Sequence, residues 1–151
     1  MSFTRTATTD GFGRSVQITN GRFVATIMTG LLPVADMVSR IQLLAPFEQA
    51  LEQTHKPKDR SLYSAGAMFR QRVFAHICGF DDLADHDVIT EDEGFLSALG
   101  VNDAAGSSTL CRFENSITRH DLDRLNCCFL DALLRANRKH RIFPRAGARK
   151  T

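Results

Sequence analysis

The 151-residue sequence lacks the features that would place it in a membrane or in a common enzyme class. No apolar run approaches the roughly 18 residues that a helix needs to cross a bilayer. The opening stretch MSFTRTATTDGFGRS has no apolar segment and no cleavage site of a secretory signal. Nucleophile-elbow, P-loop, zinc-protease and dinucleotide-binding motifs are also absent. We therefore expect a cytoplasmic protein without a membrane partner and without a catalytic constellation.

Cysteine is sparse, and its spacing does not suit a metal site. The four cysteines are Cys78, Cys111 and the adjacent pair Cys127 and Cys128, with no C-x-x-C motif and no matching histidine pair. Structural zinc sites are usually built from such closely spaced ligands. We predict reduced thiols, mostly buried on helices, and no zinc site.

The formal net charge of +2 conceals an uneven distribution of charge. After Asp131 the chain has no acid, whereas arginine and lysine recur up to Lys150. A basic end of this kind is typical of a segment that seeks a polyanion such as DNA. A solvated, frayed terminus is an equally good interpretation of the same residues.

Residues 81–93 form the opposite extreme, with seven acids and neither lysine nor arginine. Closely set carboxylates can hold magnesium for phosphoryl transfer. Such sites usually collect carboxylates from separate elements, so we favour helix capping by Asp81 and Asp82. For His86, in the same segment, we favour a structural hydrogen bond over a role as base or metal ligand.

Apolar periodicity predicts a mainly α-helical single domain, preceded by a β-hairpin. Residues 1–14 are small and polar and are predicted to be disordered. The hairpin is predicted over residues 15–25, around the turn signal Asn20-Gly21. Helical patterns follow, with Pro46 opening the second helix, Ser61 capping the third and Asp121 capping the last. The predicted helices lie within residues 31–44, 46–54, 61–79, 81–90, 91–100 and 107–117 and after residue 121.

Residues 91–100 and 107–117 have the order of a helix-turn-helix pair, although their connection is longer than usual. In that motif the second helix enters the major groove of DNA. Leu110, Phe113 and Ile117 would then face the core. The opposite interpretation is an N-cap at Ser107 or Ser108 followed by ordinary amphipathic packing. The residues that would face DNA from the start of the second helix are Ser107, Ser108, Thr109 and Arg112.

Four strings in this order resemble the N-terminal region of bacterial insertion-sequence transposases of the DDE group 1 type. They are RQRV at residues 70–73, GFDDLADHD at 79–87, ALG at 98–100 and SSTLCRFEN at 107–115. The resemblance covers roughly residues 16–138. It departs from the family pattern at Ala84, where that pattern has asparagine.

The resemblance implies binding to the terminal inverted repeats of the element, either as a homodimer or together with a full-length transposase. Family members continue into a domain whose catalytic carboxylates use magnesium, and no D-x-D or D-D-P-x-H string occurs here. We therefore expect a truncated or frameshifted product without catalysis or cofactor. The expected organisation is a disordered segment 1–14, a helical domain 15–138 and a disordered basic tail 139–151, from which Arg138, Lys139 and Arg141 would join the DNA contacts.

Two other interpretations are compatible with the sequence. The chain could be a helical interaction or oligomerisation module without a DNA role, which assembles through the hairpin and the last helix. It could also be a remnant that folds poorly, because an apolar last helix without a domain to pack on would be a liability.

Overall fold

The structure is a computed structural model that describes residues 4–9, 14–19, 28, 30–55 and 62–140. These residues are mainly α-helical, as the periodicity predicts. Among them no helix is long and apolar enough to span a membrane. The helices are α1 Leu31–Arg40, α2 Ala45–Thr54, α3 Ala65–Ile77, α4 His86–Ile89, α5 Glu93–Leu99, α6 Ser107–Ser116 and α7 Arg119–His140.

Two strands precede the helices, β1 Thr4–Thr9 and β2 Arg14–Thr19, and they pair antiparallel with Thr4 opposite Thr19. Strand β1 lies within the segment predicted to be disordered. Its four threonines are β-branched and favour an extended backbone. The prediction of disorder, which was based on small polar residues, did not include this preference. The Asn20-Gly21 turn and the second half of the predicted hairpin lie outside the described residues.

Proline and capping residues set the boundaries of α2 and α3. Pro46 lies in the first turn of α2, where its missing N–H costs no helical hydrogen bond, as predicted. The predicted cap of α3 was wrong, because Ser64 rather than Ser61 is its N-cap and accepts the amide of Ala67 at 3.2 Å. Gly79 follows the end of α3 with φ +88°, a left-handed conformation that glycine adopts without strain.

The main hydrophobic core lies between α1, α3 and α5. The benzyl groups of Phe74 and Phe95 are fully buried there, together with Leu31, Ala35 and Leu99. Burying a side chain of this size stabilises the fold by about 1.5–3 kcal/mol. This core fixes α3 at the centre of the domain, so that side chains on its other faces can position α2, α4 and α6.

A smaller core joins α2, α6 and α7 around Leu51 and Phe113, with Leu125 packed against it. The start of α7 is tied down by Asp121, whose Oδ2 accepts the backbone N–H of Thr118 at 2.8 Å. Thr118 Oγ1 accepts the N–H of Asp121 in return at 3.3 Å, which makes Thr118 the cap and Asp121 its acidic partner. His55 Nε2 lies 3.1 Å from the same carboxylate oxygen and links α2 to α7.

The last helix is less buried than its sequence pattern suggests. Leu125 packs on the second core, but Leu122, Phe129 and Leu134 are each more than half exposed. The period of the stripe was predicted correctly, but no described element covers its outer half. Helix α7 also extends to His140, two residues into the predicted basic tail.

Helices α5 and α6 are separated by the connection at residues 100–106, which begins with Gly100 at φ +74°. Helix α6 packs against α3 across this connection. The bounds of both helices agree with the ranges predicted from the sequence. Their arrangement as a helix-turn-helix pair remains a prediction.

Candidate nucleic-acid interface

Helix α6 divides into a core face and an outer face. Leu110 is fully buried and Phe113 is 8% exposed, while Ile117 packs against the second core, as predicted. Ser108 and Arg112 lie on the opposite side and are exposed. The helix is thus held on one side by the core and open on the other side, which is the arrangement that a recognition helix requires.

The N-terminus of α6 is occupied by a carboxylate from another element. Asp87, on α4, accepts the backbone N–H of Ser107 at Oδ1 and the Ser107 hydroxyl at Oδ2, both at 2.7 Å. The Ser107 hydroxyl, and after it the Ser107 amide, hold the pKa of Asp87 below its usual value. A negatively charged carboxylate at this position also interacts favourably with the positive end of the helix dipole. Ser107 therefore makes an internal contact at the position predicted to contact DNA.

The other predicted contact residues are not equivalent. Ser108 and Arg112 lie exposed on the outer face, and the Arg112 Nε–H donates to the Ser108 carbonyl at 3.1 Å. Thr109 is half-buried on the flank of the helix. Neither predicted N-cap is correct, because Gly106 occupies that position and Ser107 is already helical.

The predicted basic contacts lie at the far end of the chain. Arg138 is exposed near the end of α7. The backbone of Lys139 belongs to the same helix, and Arg141 lies outside the described residues. Arg138 lies 19 residues after Arg119, the first residue of α7, which corresponds to about 28 Å along the helix axis.

Gln71 holds the connection that leads into α6. Its Nε2 donates to the carbonyl oxygen of Ala105 at 2.7 Å, and its Oε1 accepts the Ala105 amide at 2.9 Å. Both partners are buried, and Gln71 is 3% exposed. The paired bonds satisfy two backbone groups that would otherwise be left without partners in the interior. This contact sets the position from which α6 begins.

His86 joins the same network from α4 and is fully buried. Its Nδ1 lies 3.0 Å from Gln71 Nε2, and its Nε2 lies 3.0 Å from Arg72 Nη1. Burial, and after it the Arg72 guanidinium, lower the pKa of His86 to about 4. The imidazole is therefore neutral near pH 7, and the predicted structural hydrogen bond is confirmed.

Arg72 completes the network by reaching α6 directly. Its Nε donates to Glu114 Oε1, and its Nη2 donates to the carbonyl oxygen of Asp81 at 3.2 Å. Arg70, two residues earlier, makes a two-pronged pair with Glu48 of α2 at 2.7 and 2.6 Å. The RQRV string of α3 thus ties together α2, α4 and α6, and Glu114 is paired by an internal guanidinium.

Two of the acidic residues 81–93 act as helix caps, but they are not the two predicted ones. Asp92 caps α5 by accepting the amide of Phe95 at 2.8 Å, and Asp87 caps α6. Asp82 accepts the nearby amide of Ala84 at 3.0 Å in a local turn. Asp92 is a local N-cap directly before α5, whereas the contact from Asp87 to Ser107 spans 20 residues and lies beyond the reach of local capping rules.

In the part of the chain described by the structure, no three His, Cys, Asp or Glu side chains are grouped so that they could hold a metal ion, and this includes the acids of residues 81–93. All four cysteines are free thiols, but Cys111 and Cys127 are exposed, so the prediction of mostly buried thiols was wrong. The helical pattern placed them correctly on or beside helices without indicating which way they face.

Sequence reasoning missed Gln71, Arg72 and Glu114 as structural residues. The only signal was their presence in the family strings, because a buried glutamine and a surface glutamine look alike in a single sequence. Their contacts join residues that are far apart in the sequence, for example Arg72 and Glu114. Such contacts can be recognised only when the fold brings the helices together.

Comparison with known protein families matches residues 9–143 to the family described as Transposase DDE domain group 1. Because the match covers most of the 151 residues, the chain belongs to this family. Comparison with curated proteins finds no match, and comparison with solved structures finds none either. Membership of the family connects the chain to DNA transposition and implies an interaction with DNA.

Proposed function

We propose that the chain is a DNA-binding part of an insertion-sequence transposase that recognises the terminal inverted repeats of its element without carrying out catalysis. The observation that carries this proposal is the outer face of α6. It lies opposite the core and exposes Ser108 and Arg112, while Glu114, the one acid of the helix, is paired with Arg72. A phosphate backbone approaching this face would meet no unpaired carboxylate of α6.

Affinity would come mainly from cations and specificity from base contacts, as in other DNA-binding proteins. Arg112 and the exposed Arg138 are candidate cations within the described residues. The basic residues beyond His140, including Arg141, would add phosphate contacts.

The proposal is tested by measuring the affinity of the full chain for a duplex of the element's terminal inverted repeat. A shuffled duplex of the same composition is the control. We expect the terminal duplex to be bound more tightly than the shuffled one, since specific sites commonly exceed nonspecific DNA by about 10³-fold or more. Equal affinity for both duplexes would contradict recognition of the repeats, and no binding to either would contradict the DNA role.

A second candidate function, assembly with another copy of the chain, is favoured by the surface of α7. Leu122, Phe129, Leu130 and Leu134 are 51%, 53%, 59% and 54% exposed. Large apolar side chains grouped on one helix often mark a protein-protein contact. In this case α7 of two copies would pack together, and loss of Arg112 would leave the function intact.

Sedimentation of the wild type and of the Leu130→Lys variant distinguishes this second function. Assembly through α7 predicts a wild-type dimer and a variant monomer, because a lysine at the centre of an apolar contact would be buried without a partner. A wild-type monomer at all concentrations would exclude the second function.

A further inference from the structure

The outer face of α6 continues beyond the two residues that the sequence singled out. Ser108, Cys111, Arg112 and Asn115 follow the spacing i, i+3, i+4 and i+7, which places them on one side of a helix. All four are exposed. The residues between them that are buried, Leu110 and Phe113, lie on the opposite side. We use the name reading face for these four exposed residues.

We propose that the reading face lies along the major groove of duplex DNA, with Asn115 and Arg112 making contacts to base edges. This inference rests on the proposed function and adds Asn115 and Cys111 to the recognition residues. The helix would present its side to the groove over its whole length, so that the residues of its second half take part in reading the sequence.

The occupied N-terminus of α6 favours this side-on approach. Asp87 already holds the amide and the hydroxyl of Ser107, both at 2.7 Å. A phosphate at the same end would meet that carboxylate and be repelled by it. Entry of the helix with its first turn pointing at the DNA backbone would therefore lose the attraction that a free helix N-terminus offers.

The side chains of the reading face have the donors and acceptors that base edges require. An asparagine amide can pair with the N6 and N7 atoms of adenine, and a guanidinium can pair with the O6 and N7 atoms of guanine. Asn115 Nδ2 makes a 3.4 Å contact with Cys111 Sγ, a weak acceptor, and Arg112 uses its Nε for the Ser108 carbonyl. Both bonds lie within the helix and orient the two side chains along the same side.

Charge also favours a nucleic-acid occupant of this face. None of the four residues is acidic, and the carboxylate of Glu114 is held by Arg72 from α3. The carboxylates of Asp87 and Glu114, which contact α6 or belong to it, are thus both engaged in internal pairs. The remaining formal charge of the reading face is the positive charge of Arg112.

The length of the reading face sets the size of the site. The step from Ser108 to Asn115 corresponds to about 10 Å along the helix axis at about 1.5 Å per residue. DNA rises about 3.4 Å per base pair, so the face spans about three base pairs. We therefore expect Arg112 and Asn115 to act on neighbouring base pairs within one short block of the binding sequence.

The test is selection of bound duplexes from a random-sequence DNA library, performed with the 151-residue wild-type chain and three variants. Asn115→Ala removes the proposed adenine contact. Arg112→Lys keeps the charge that a phosphate would need but loses the paired N–H groups that guanine would need. Asn126→Ala is the matched control, because Asn126 is an exposed asparagine on α7.

We expect Asn115→Ala and Arg112→Lys each to lose preference at one base pair, the two lying in one block of about three base pairs. Each variant should bind the wild-type sequence about 5- to 150-fold more weakly. Asn126→Ala should select the wild-type sequence with wild-type affinity. The far-ultraviolet circular dichroism of all variants should match the wild type, since every substituted side chain is exposed.

The inference is overturned if the wild type selects a sequence and both variants select the same sequence with unchanged affinity. It is also overturned, while DNA binding itself stands, if the wild type binds the library without base preference. Failure of the wild type to bind any duplex would instead contradict the proposed function, and the reading face with it.

Discussion

Asp87 and Ser107 are joined by two hydrogen bonds of 2.7 Å, through which the carboxylate of α4 caps the first residue of α6. This relationship connects two of the strings that identify the family, although the residues are far apart in the chain. Gly106 lies directly against the cap, because a Cβ added at Gly106 would come within 3.0 Å of Asp87 Oδ1. The segment before α6 is therefore shaped to receive an acidic side chain from α4.

Replacement of Asp87 by alanine should destabilise the protein, because the amide and hydroxyl of Ser107 lose their acceptor. The measurement is the midpoint of urea unfolding at pH 7. The pKa of Asp87 is lowered in the fold, so its contribution is present above the ordinary carboxyl pKa and is lost as pH falls through the folded value. Glu91→Ala, an exposed substitution in the same acidic segment, should leave the midpoint nearly unchanged. Equal midpoints for Asp87→Ala and the wild type would show that the cap is unimportant.

The buried histidine should make stability depend on pH in the mildly acidic range. The pKa of His86 is about 4 in the fold and about 6.5 in the unfolded chain, so the unfolded state binds more protons between these values. Stability is therefore fully present above about pH 6.5 and falls as pH drops toward 4, by on the order of 3 kcal/mol. Urea unfolding of wild type and His86→Gln at pH 7 and 4.5 measures this loss. The variant should be less stable at pH 7 but lose less on acidification, and equal losses in the two proteins would contradict the assignment.

Removal of the Gln71 side-chain amide should lower the free energy of unfolding more than most substitutions on α3. Gln71→Ala leaves the amide and carbonyl of Ala105 buried without partners and also leaves a small cavity. We expect the free energy of unfolding to fall by about 2–4 kcal/mol. Gln49→Ala, at an exposed position of α2, is the matched control and should stay within about 0.5 kcal/mol of wild type. A similar small effect for both variants would mean that Gln71 does not hold the connection.

The close packing of α2 on α3 depends on the absence of a side chain at Gly66. A Cβ there would lie 2.9 Å from the Glu48 Cβ and 3.2 Å from its Cα, so the helices would have to separate. We expect Gly66→Ala to lower the free energy of unfolding by about 1–3 kcal/mol despite the better helix propensity of alanine. Gly30→Ala is the control, since a Cβ at Gly30 meets nothing within 4 Å. A Gly66→Ala variant as stable as the control would contradict this packing.

The sequence was sufficient to predict the features that depend on local chemistry. Gly79 and Gly100 lie at the ends of two predicted helical ranges, 61–79 and 91–100, where their positive φ values suit a residue without a Cβ. Pro46 likewise marks the start of α2. These signals act within one turn of the chain, so a single sequence contains all the information that they need.

Contacts between distant helices could not be predicted in the same way. The bond from Arg72 to Glu114 and the cap from Asp87 to Ser107 depend on how α3, α4 and α6 pack. From the sequence, Ser107 was therefore expected either to contact DNA or to cap α6, and no partner for Arg72 could be identified. Asn115 was not predicted either, because the helix-turn-helix pattern singles out the start of α6 and not the rest of its exposed side.

The measurement that tests the DNA-binding role most directly is the salt dependence of the affinity for duplex DNA. If arginine and lysine side chains neutralise phosphates, the logarithm of the binding constant should fall linearly with the logarithm of salt concentration. The expected slope is about −0.9 for each neutralised phosphate. Several phosphate contacts would therefore make the affinity fall steeply between low and physiological salt. An affinity that does not change with salt, or the absence of binding even at low salt, would contradict the account.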